Sequence, residues 1–445
     1  MSNQNLSSDN TTSKQRGVFW FRHDLRLHDQ VALASLCEQV DEISFIYIVD
    51  ESYFSPTKYG LKQIGDNRYH FLLETLSDLK GSLEKQGHEL IALKGSISEC
   101  LSTILEQGQF THLGVTKHCG FHEQKQIEEL VRCYPNLSIV EGESLTLFNE
   151  SDLPFSIEEM PDVFSPFRRK VEKKLNPREV CSPVDTFPTA FVLEHLSAET
   201  LIIEDELANQ RQMLQPIQQS NNDFKGGESA ALEHLNKYLF EWHAAATYKE
   251  TRNALDNWRD STKFSPWLAV GALSPREVVR QVTLFEEQIE KNESTYWIYF
   301  ELLWREFFHW LQAKYGEKWF KFGGIQQKVP GTKHNPKVFV DWCNGNTGYP
   351  IIDACMKQLK ATGYMSNRGR QLVASCFVHE LQQDWRYGAA WFENQLLDFD
   401  VGSNWGNWLY LAGVGSDPRG HRQFNLDKQT ATYDRDGAFR NKWLT

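Results

Sequence analysis

The chain lacks the local signatures by which many enzymes announce themselves. It has no GxGxxG after its first strand-like run and no GxxxxGK[ST] anywhere, which excludes the common dinucleotide turn and the P-loop. Its eight cysteines, at 37, 100, 119, 133, 181, 343, 355 and 376, form no CxxC pair, so they read as reduced, mostly buried thiols. No apolar run approaches the ~20 residues of a membrane helix. The opening MSNQNLSSDNTTSKQ has neither the apolar core of a secretory signal nor the Arg-rich amphipathicity of a transit peptide. Residues 1–16 are therefore expected to form a loose tail on a cytoplasmic protein. Positive charge is also short: 47 Lys and Arg face 59 Asp and Glu, a net charge of −12. Coating of nucleic acid by bulk charge is excluded, and any such site must be a local patch.

What is present suits a soluble globular protein. The 445 residues are 40% hydrophobic and 24% charged, enough for two cores. GVFWF (17–21), ISFIYIV (43–49), LIAL (90–93), HLGV (112–115) and LSIV (137–140) read as buried parallel strands. Amphipathic stretches such as Asn67–Gln86 lie between them, and this alternation predicts a doubly wound α/β domain over 17–150. Residues 151–226 read as a long connector. From 227 to 445 the pattern is helical almost throughout.

Tryptophan is nearly confined to that second part: Trp20 alone precedes residue 240, and the other thirteen lie between Trp242 and Trp443. Such enrichment reads first as an aromatic core, and second as a pocket for planar rings or a conduit for electrons. Helical spacing over Tyr296–Gln312 places Trp297, Glu301, Trp304 and Phe308 on one face. A carboxylate in an aromatic stripe needs a partner. Either Arg305, one turn along, neutralises it, or Glu301 and Trp304 line a pocket mouth and meet a polar aromatic ligand. Asp398, Asp400 and Asn404 read as a loop with Gly402 and Gly406. No His or Cys nearby completes a metal set, so no metal is expected. The two carboxylates read as acceptors for ring N–H groups of a heterocycle, or as partners of Arg368 or Arg370. Ser261, Thr262, Lys263, Phe264 and Ser265 form a hydroxyl-rich turn before a helix, which suits an anion, although N-cap turns often carry such residues. Lys314–Lys337 and Pro166–Arg178 each carry a net charge of +5. These are solvated faces or, where Trp319, Phe320 and Phe322 interleave, part of a single-stranded nucleic-acid groove.

WFRHDLRLHD (20–29), STKFSPWLAVGALSPR (261–276), FELLWREFF (300–308), TGYPIIDACMKQLKATGYMSNRGR (347–370) and DWRYGAAWFENQLLDFDVGSNWGNW (384–408) resemble, in order, the signature segments of the photolyase/cryptochrome family. SNRGRQ, SNWGNWLY and GVGSDPR are similar to its DASH cryptochromes. The resemblance implies FAD bent into a U inside the helical domain, and a methenyltetrahydrofolate antenna between the domains. It implies a deoxyribodipyrimidine photo-lyase, in which light drives an electron from reduced flavin into a flipped-out cyclobutane pyrimidine dimer and back after the ring splits. Tyr248, Ser261, Thr262, Lys263, Phe264 and Ser265 match the family's phosphate contacts. Arg305, Asn367, Arg370, Asp398 and Asp400 match flavin contacts, and Asn404 matches the position facing N5. Glu301, Trp304 and Asn367 match the dimer cavity, and Glu123 matches the antenna carboxylate.

Gln371 and Tyr410 stand where the family's double-strand photolyases have Met and Trp, which shifts the expected substrate to ultraviolet-damaged single-stranded DNA. RNA is a further candidate, a monomer is expected, and no membrane partner is. Trp408 and Trp385 match the inner and middle members of the family's electron chain. The outer member is missing from GTKHNPK (331–337), so the chain is expected to end on Trp342 or Trp319. The alternative function is a flavin photoreceptor that repairs little. The dimer-contact residues, and the absence of a long tail after AFRNKWLT, favour the enzyme. An ordinary flavin oxidoreductase is disfavoured by the missing nicotinamide fingerprint.

Overall fold

The five apolar runs become the five main strands of a parallel sheet in the computed structural model, which describes residues 14–194, 196, 198–213, 224–417, 419 and 422–444. Strands β1 (Arg16–Phe21), β2 (Glu42–Asp50), β3 (Leu90–Gly95), β4 (His112–Thr116) and β5 (Ser138–Gly142) lie in the order β3-β2-β1-β4-β5. Alternating side chains feed two cores. Phe19, Phe21, Phe45 and Tyr47 pack with helices α1 (Val31–Cys37) and α2 (Asp66–Glu84). Val18, Trp20, Ile46 and Ile48 pack with α3 (Ile97–Gly108) and α4 (Phe121–Cys133). The order reverses between β1 and β4, so this is a doubly wound sheet with its switch point there.

Two boundaries differ from the sequence expectation. Of the stretch read as a tail, residues 1–13 lie outside the described residues, but β1 already opens at Arg16, and Lys14 pairs with Glu42 at 2.6 Å. The stretch read as a connector carries α5 (Phe164–Lys174), the short strand β6 (Thr189–Ala190) beside β2, and α6 (Ile203–Met213). Helix α5 buries only Phe164, Phe167 and Val171. That narrow stripe is easily hidden among Arg168, Arg169, Lys170, Lys173 and Lys174.

The second part comprises α7 (Glu228–Asn236), α8 (Tyr248–Thr251), α9 (Ser265–Ala269), α10 (Pro275–Gln288), α11 (Glu293–Tyr315), α12 (Pro336–Cys343), α13 (Pro350–Thr362), α14 (Asn367–Ser375), α15 (Trp385–Gln395), α16 (Val401–Leu411), α17 (Leu426–Tyr433) and α18 (Ala438–Leu444). One continuous aromatic core joins them, which is the bland reading of the tryptophan enrichment. The two parts are bonded through buried cations. Arg26 donates to the carbonyls of Gly271 (2.8 Å) and Ser144 (2.7 Å), and Arg276 to those of Thr146 (2.9 Å) and Glu143 (2.6 Å). At Gly271, where φ is +70°, a Cβ would fall 1.9 Å from the His23 carbonyl oxygen, so only glycine lets the chains approach this closely.

Candidate functional site

Helices α11, α14 and α16 and the turn before α9 enclose a cleft of about 1430 Å³, its open mouth included. Its walls hold Tyr248, Ser261, Thr262, Lys263, Phe264, Ser265, Glu301, Arg305, Asn367, Arg370, Gln371, Asp398, Asp400, Asn404 and Trp408. Residues up to 160 positions apart in the sequence thus face one space.

One end of the cleft is built for an anion. Lys263 is buried with its backbone in the left-handed region (φ 56°), and its ammonium donates to Ser261 Oγ at 2.8 Å. A non-glycine residue held there is strained, which marks a position fixed by its surroundings. Helix α9 is only five residues long, so the sequence expectation of a helix N-terminus is replaced by side-chain groups: the hydroxyls of Ser261, Thr262 and Ser265 and the Lys263 ammonium.

The other end carries paired carboxylates. The stretch read as a loop folds as α16, and Asp400 caps it by accepting from Ser403 N–H at 2.6 Å. Asp398 accepts from Arg370 at 2.8 Å, whereas Arg368 turns to Asn253 (3.0 Å). Asp398 Oδ1 is buried with no hydrogen-bond partner, an acceptor left over for a ligand N–H. Asp400 pairs with His309 at 2.8 Å. Burial would raise its carboxyl, but the charge and hydrogen bond of His309 outweigh this and hold it well below the usual carboxylate range. The neutral Asn404 is fixed by donating to the Ala389 carbonyl at 3.0 Å.

Glu301 projects into the cleft from α11, but its partner is Arg252, not Arg305. Arg305 instead donates to the carbonyl of Leu145 at 2.6 Å, tying the cleft wall to the first domain. Burial pushes the Glu301 carboxyl above its ordinary value, with Arg252 and Trp297 opposing. Trp304 is not among the lining residues. Its ring stacks on Phe164 (centroids 3.7 Å apart, 11° between planes) beside Tyr410, which in turn lies under Arg422. Arg252 and His309 escaped the sequence reading. Their signals were faint: Arg252 lies four residues after Tyr248, and His309 two turns after Glu301 on the same helix.

Comparison with known proteins gives the family of both parts. Residues 17–188 match the family model of DNA photolyase, and 297–445 that of the FAD binding domain of DNA photolyase. Cryptochrome DASH of Idiomarina loihiensis is 46% identical over 430 residues, which cover 96% of this chain and 92% of that protein. The chain belongs to the photolyase/cryptochrome family, in its cryptochrome DASH group. The solved structure of the Synechocystis cryptochrome superposes with a TM-score of 0.90 at 36% identity, covering 97% of this chain and 88% of that one. A bacterial class III photolyase from Agrobacterium tumefaciens gives 0.82 at 26%, covering 98% and 88%.

The helical part is therefore an FAD-binding domain, and its residues fit the group: hydroxyls and an ammonium for a diphosphate, and the orphan Asp398 Oδ1 for a ring N–H. Trp408, in the cleft wall, packs its indole against Gly388 of α15. A Cβ at Gly388 would lie 2.2 Å from Trp408 Cη2, and Phe392 (5.2 Å) and Trp342 (6.2 Å) crowd the ring from other sides. Gly388→Ala should lower stability by about 1–3 kcal/mol in urea unfolding, through overpacking. The same displacement of Trp408 should shift the visible spectrum of bound flavin. The remaining tryptophans named from the sequence, Trp385, Trp342 and Trp319, are all fully buried. Among the described residues, no helix is long and apolar enough to cross a membrane.

Proposed function

We propose that this protein repairs cyclobutane pyrimidine dimers in blue light, preferentially in single-stranded DNA. The observation that carries the reading is that a single cleft joins the groups that fit a flavin to Glu301, a half-buried carboxyl raised in pKa and open to the remaining space. FAD held there in its reduced form would supply light-driven one-electron chemistry to the dimer. The chain does the rest. Lys263, Ser261 and Thr262 would bind the phosphates, and Asp398 and Arg370 would orient the ring system. Asn404 stays neutral beside it, and Phe392, Leu396 and Leu411 exclude water. Protonated Glu301 would donate to a carbonyl of the dimer and stabilise the negative charge that develops there. Gln371 in the lining, with Tyr410 and Trp304 outside it, leaves little apolar packing to offset the unpairing of a duplex.

The test adds purified protein and blue light to ultraviolet-damaged single- and double-stranded oligonucleotides. Restoration of the single strand at a higher rate is expected. No restoration of either would favour the photoreceptor reading that the relatives' cryptochrome names suggest. Glu301→Gln, a neutral donor, should keep activity within a few-fold, whereas Glu301→Ala should lose about tenfold or more, the worth of one hydrogen bond to a charged group. Because the Glu301 carboxyl is raised in the fold, its acid form persists to higher pH than that of an ordinary glutamate. Parent activity should therefore fall as pH rises through the raised value, and the Gln variant should not follow it. For the antenna, a methenyltetrahydrofolate seated at Glu123 rests on the resemblance.

A further inference from the structure

We propose that His234 is a positioning residue for the flavin's diphosphate: it locks the turn before α9 into a backbone cradle for the anion. The inference rests on the flavin-binding reading of the cleft and is independent of repair. His234 stands in the last turn of α7, buried, and it does not line the cleft. Its Nε2 lies 2.9 Å from the carbonyl oxygen of Thr262, which does line it. A carbonyl can only accept, so this nitrogen carries the proton and donates. Aromatic rings box the imidazole in. Trp267 stacks on it at 5.0 Å, while Trp258 (5.4 Å), Trp242 (5.8 Å) and Phe264 (5.8 Å) meet it edge to face. A hydrogen bond made inside such a low-dielectric box is stronger than the same bond in water.

Holding that carbonyl decides what the next residue presents. In a trans peptide the carbonyl and the following N–H point in opposite directions. With the Thr262 carbonyl turned toward the imidazole, the Lys263 N–H is turned away from it, and among the described residues none accepts from that N–H. Lys263 has φ 56°, in the left-handed region, and Phe264 after it has φ −71° and ψ −18°, in the right-handed one. Successive residues of opposite hand bring their N–H groups to one concave side, which is the geometry of an anion-binding nest. A lysine keeps a left-handed backbone only where its surroundings over-determine it. Two contacts do so here: the His234 bond before the residue, and the bond from the Lys263 ammonium to Ser261 Oγ. His234 thus acts through the backbone of Thr262 and Lys263 and touches no phosphate itself.

The test titrates the full chain, stripped of flavin, with FAD and with riboflavin in the dark. His234→Leu keeps the box apolar and removes the donor. It should weaken FAD binding by about tenfold or more, the worth of one buried hydrogen bond. Riboflavin carries no phosphate, so its affinity should stay within about twofold of the parent, the ring end being independent of this turn. His234→Gln, whose amide N–H can stand in for the Nε2 donor, should recover FAD affinity to within about threefold. His234→Phe reports in its place should the Leu variant fail to fold. Should riboflavin bind the parent too weakly to measure, the visible bands of bound FAD serve instead, and in the apolar variants they should keep their parent positions. Parent-like FAD affinity in the apolar variants overturns the proposal. So does an equal loss for FAD and riboflavin, a shift of the bound-FAD bands, or a Gln variant no better than Leu. None of these readouts uses light or DNA, so failure here and failure of the repair assay are separable.

Discussion

Arg370→Ala should unfold about 3–5 kcal/mol more easily than the parent and release its flavin on gel filtration. That is the range for leaving one member of a buried ion pair without its partner. The pair is asymmetric: the Asp398 side chain is 2% exposed and Arg370 24%. Removing the arginine therefore strands a carboxylate deep in the protein, whereas removing the aspartate frees a cation that still reaches water and the Met365 carbonyl, to which its Nε donates at 2.8 Å. Asp398→Ala should be the milder change in urea unfolding, although it too loses flavin, since it removes the orphan acceptor Oδ1. The double variant should be less destabilised than the sum of the singles, because the coupling is lost only once. If Arg370→Ala stays within 1 kcal/mol of the parent, the pair does not hold this end of the cleft.

The sheet was legible because each strand is an apolar run bounded by turns, and burial on both faces requires nothing else of a parallel strand. Helix α16 was not, because Gly402 and Gly406 argue against a helix by propensity. The tertiary reason appears only in three dimensions: a Cβ at Gly406 would lie 2.4 Å from Phe308 of α11, so the glycines let two cleft-forming helices approach. The cleft itself was legible through the resemblance, down to the Arg370–Asp398 pair. Partners outside the quoted segments were harder. Spacing along α11 offered Arg305 to Glu301, but the chain brings Arg252 from the turn that ends α8. The stripe that joined Trp304 to Glu301 could not show that Phe164, from the supposed connector, would cover its ring. His234 and Thr262 are 28 residues apart, and only the packing of α7 beside the turn joins them.

Trp408→Phe and Trp385→Phe should each abolish light-driven reduction of the oxidised flavin in vitro, whereas Trp342→Phe and Trp319→Phe should leave it close to the parent. Phenylalanine is far harder to oxidise than tryptophan, so each change breaks the expected chain at one ring. Trp408 stands in the cleft wall, and Trp385 lies one turn before the Gly388 against which it packs. From Trp408 two branches open. Trp342 is 6.2 Å away but ends blind: it is fully buried, and its indole N–H is donated to the Val373 carbonyl at 3.3 Å. Trp319 neighbours Phe308. Trp385 instead meets Trp405 edge to face at 5.8 Å, and Trp405 donates its N–H to Glu393 at 3.3 Å. Burial pushes the Glu393 carboxyl up to about 7. Above that pH it is a carboxylate able to accept the proton that an oxidised indole sheds, which fixes the hole on Trp405; below it the acid cannot accept, and the electron returns. The yield of lasting reduction should therefore drop as pH falls through about 7, and Glu393→Gln should hold it low at every pH. These outcomes would place the exit on Trp405 rather than on Trp342 or Trp319. Parent-like reduction in both Trp385→Phe and Glu393→Gln would return it to the Trp342 branch.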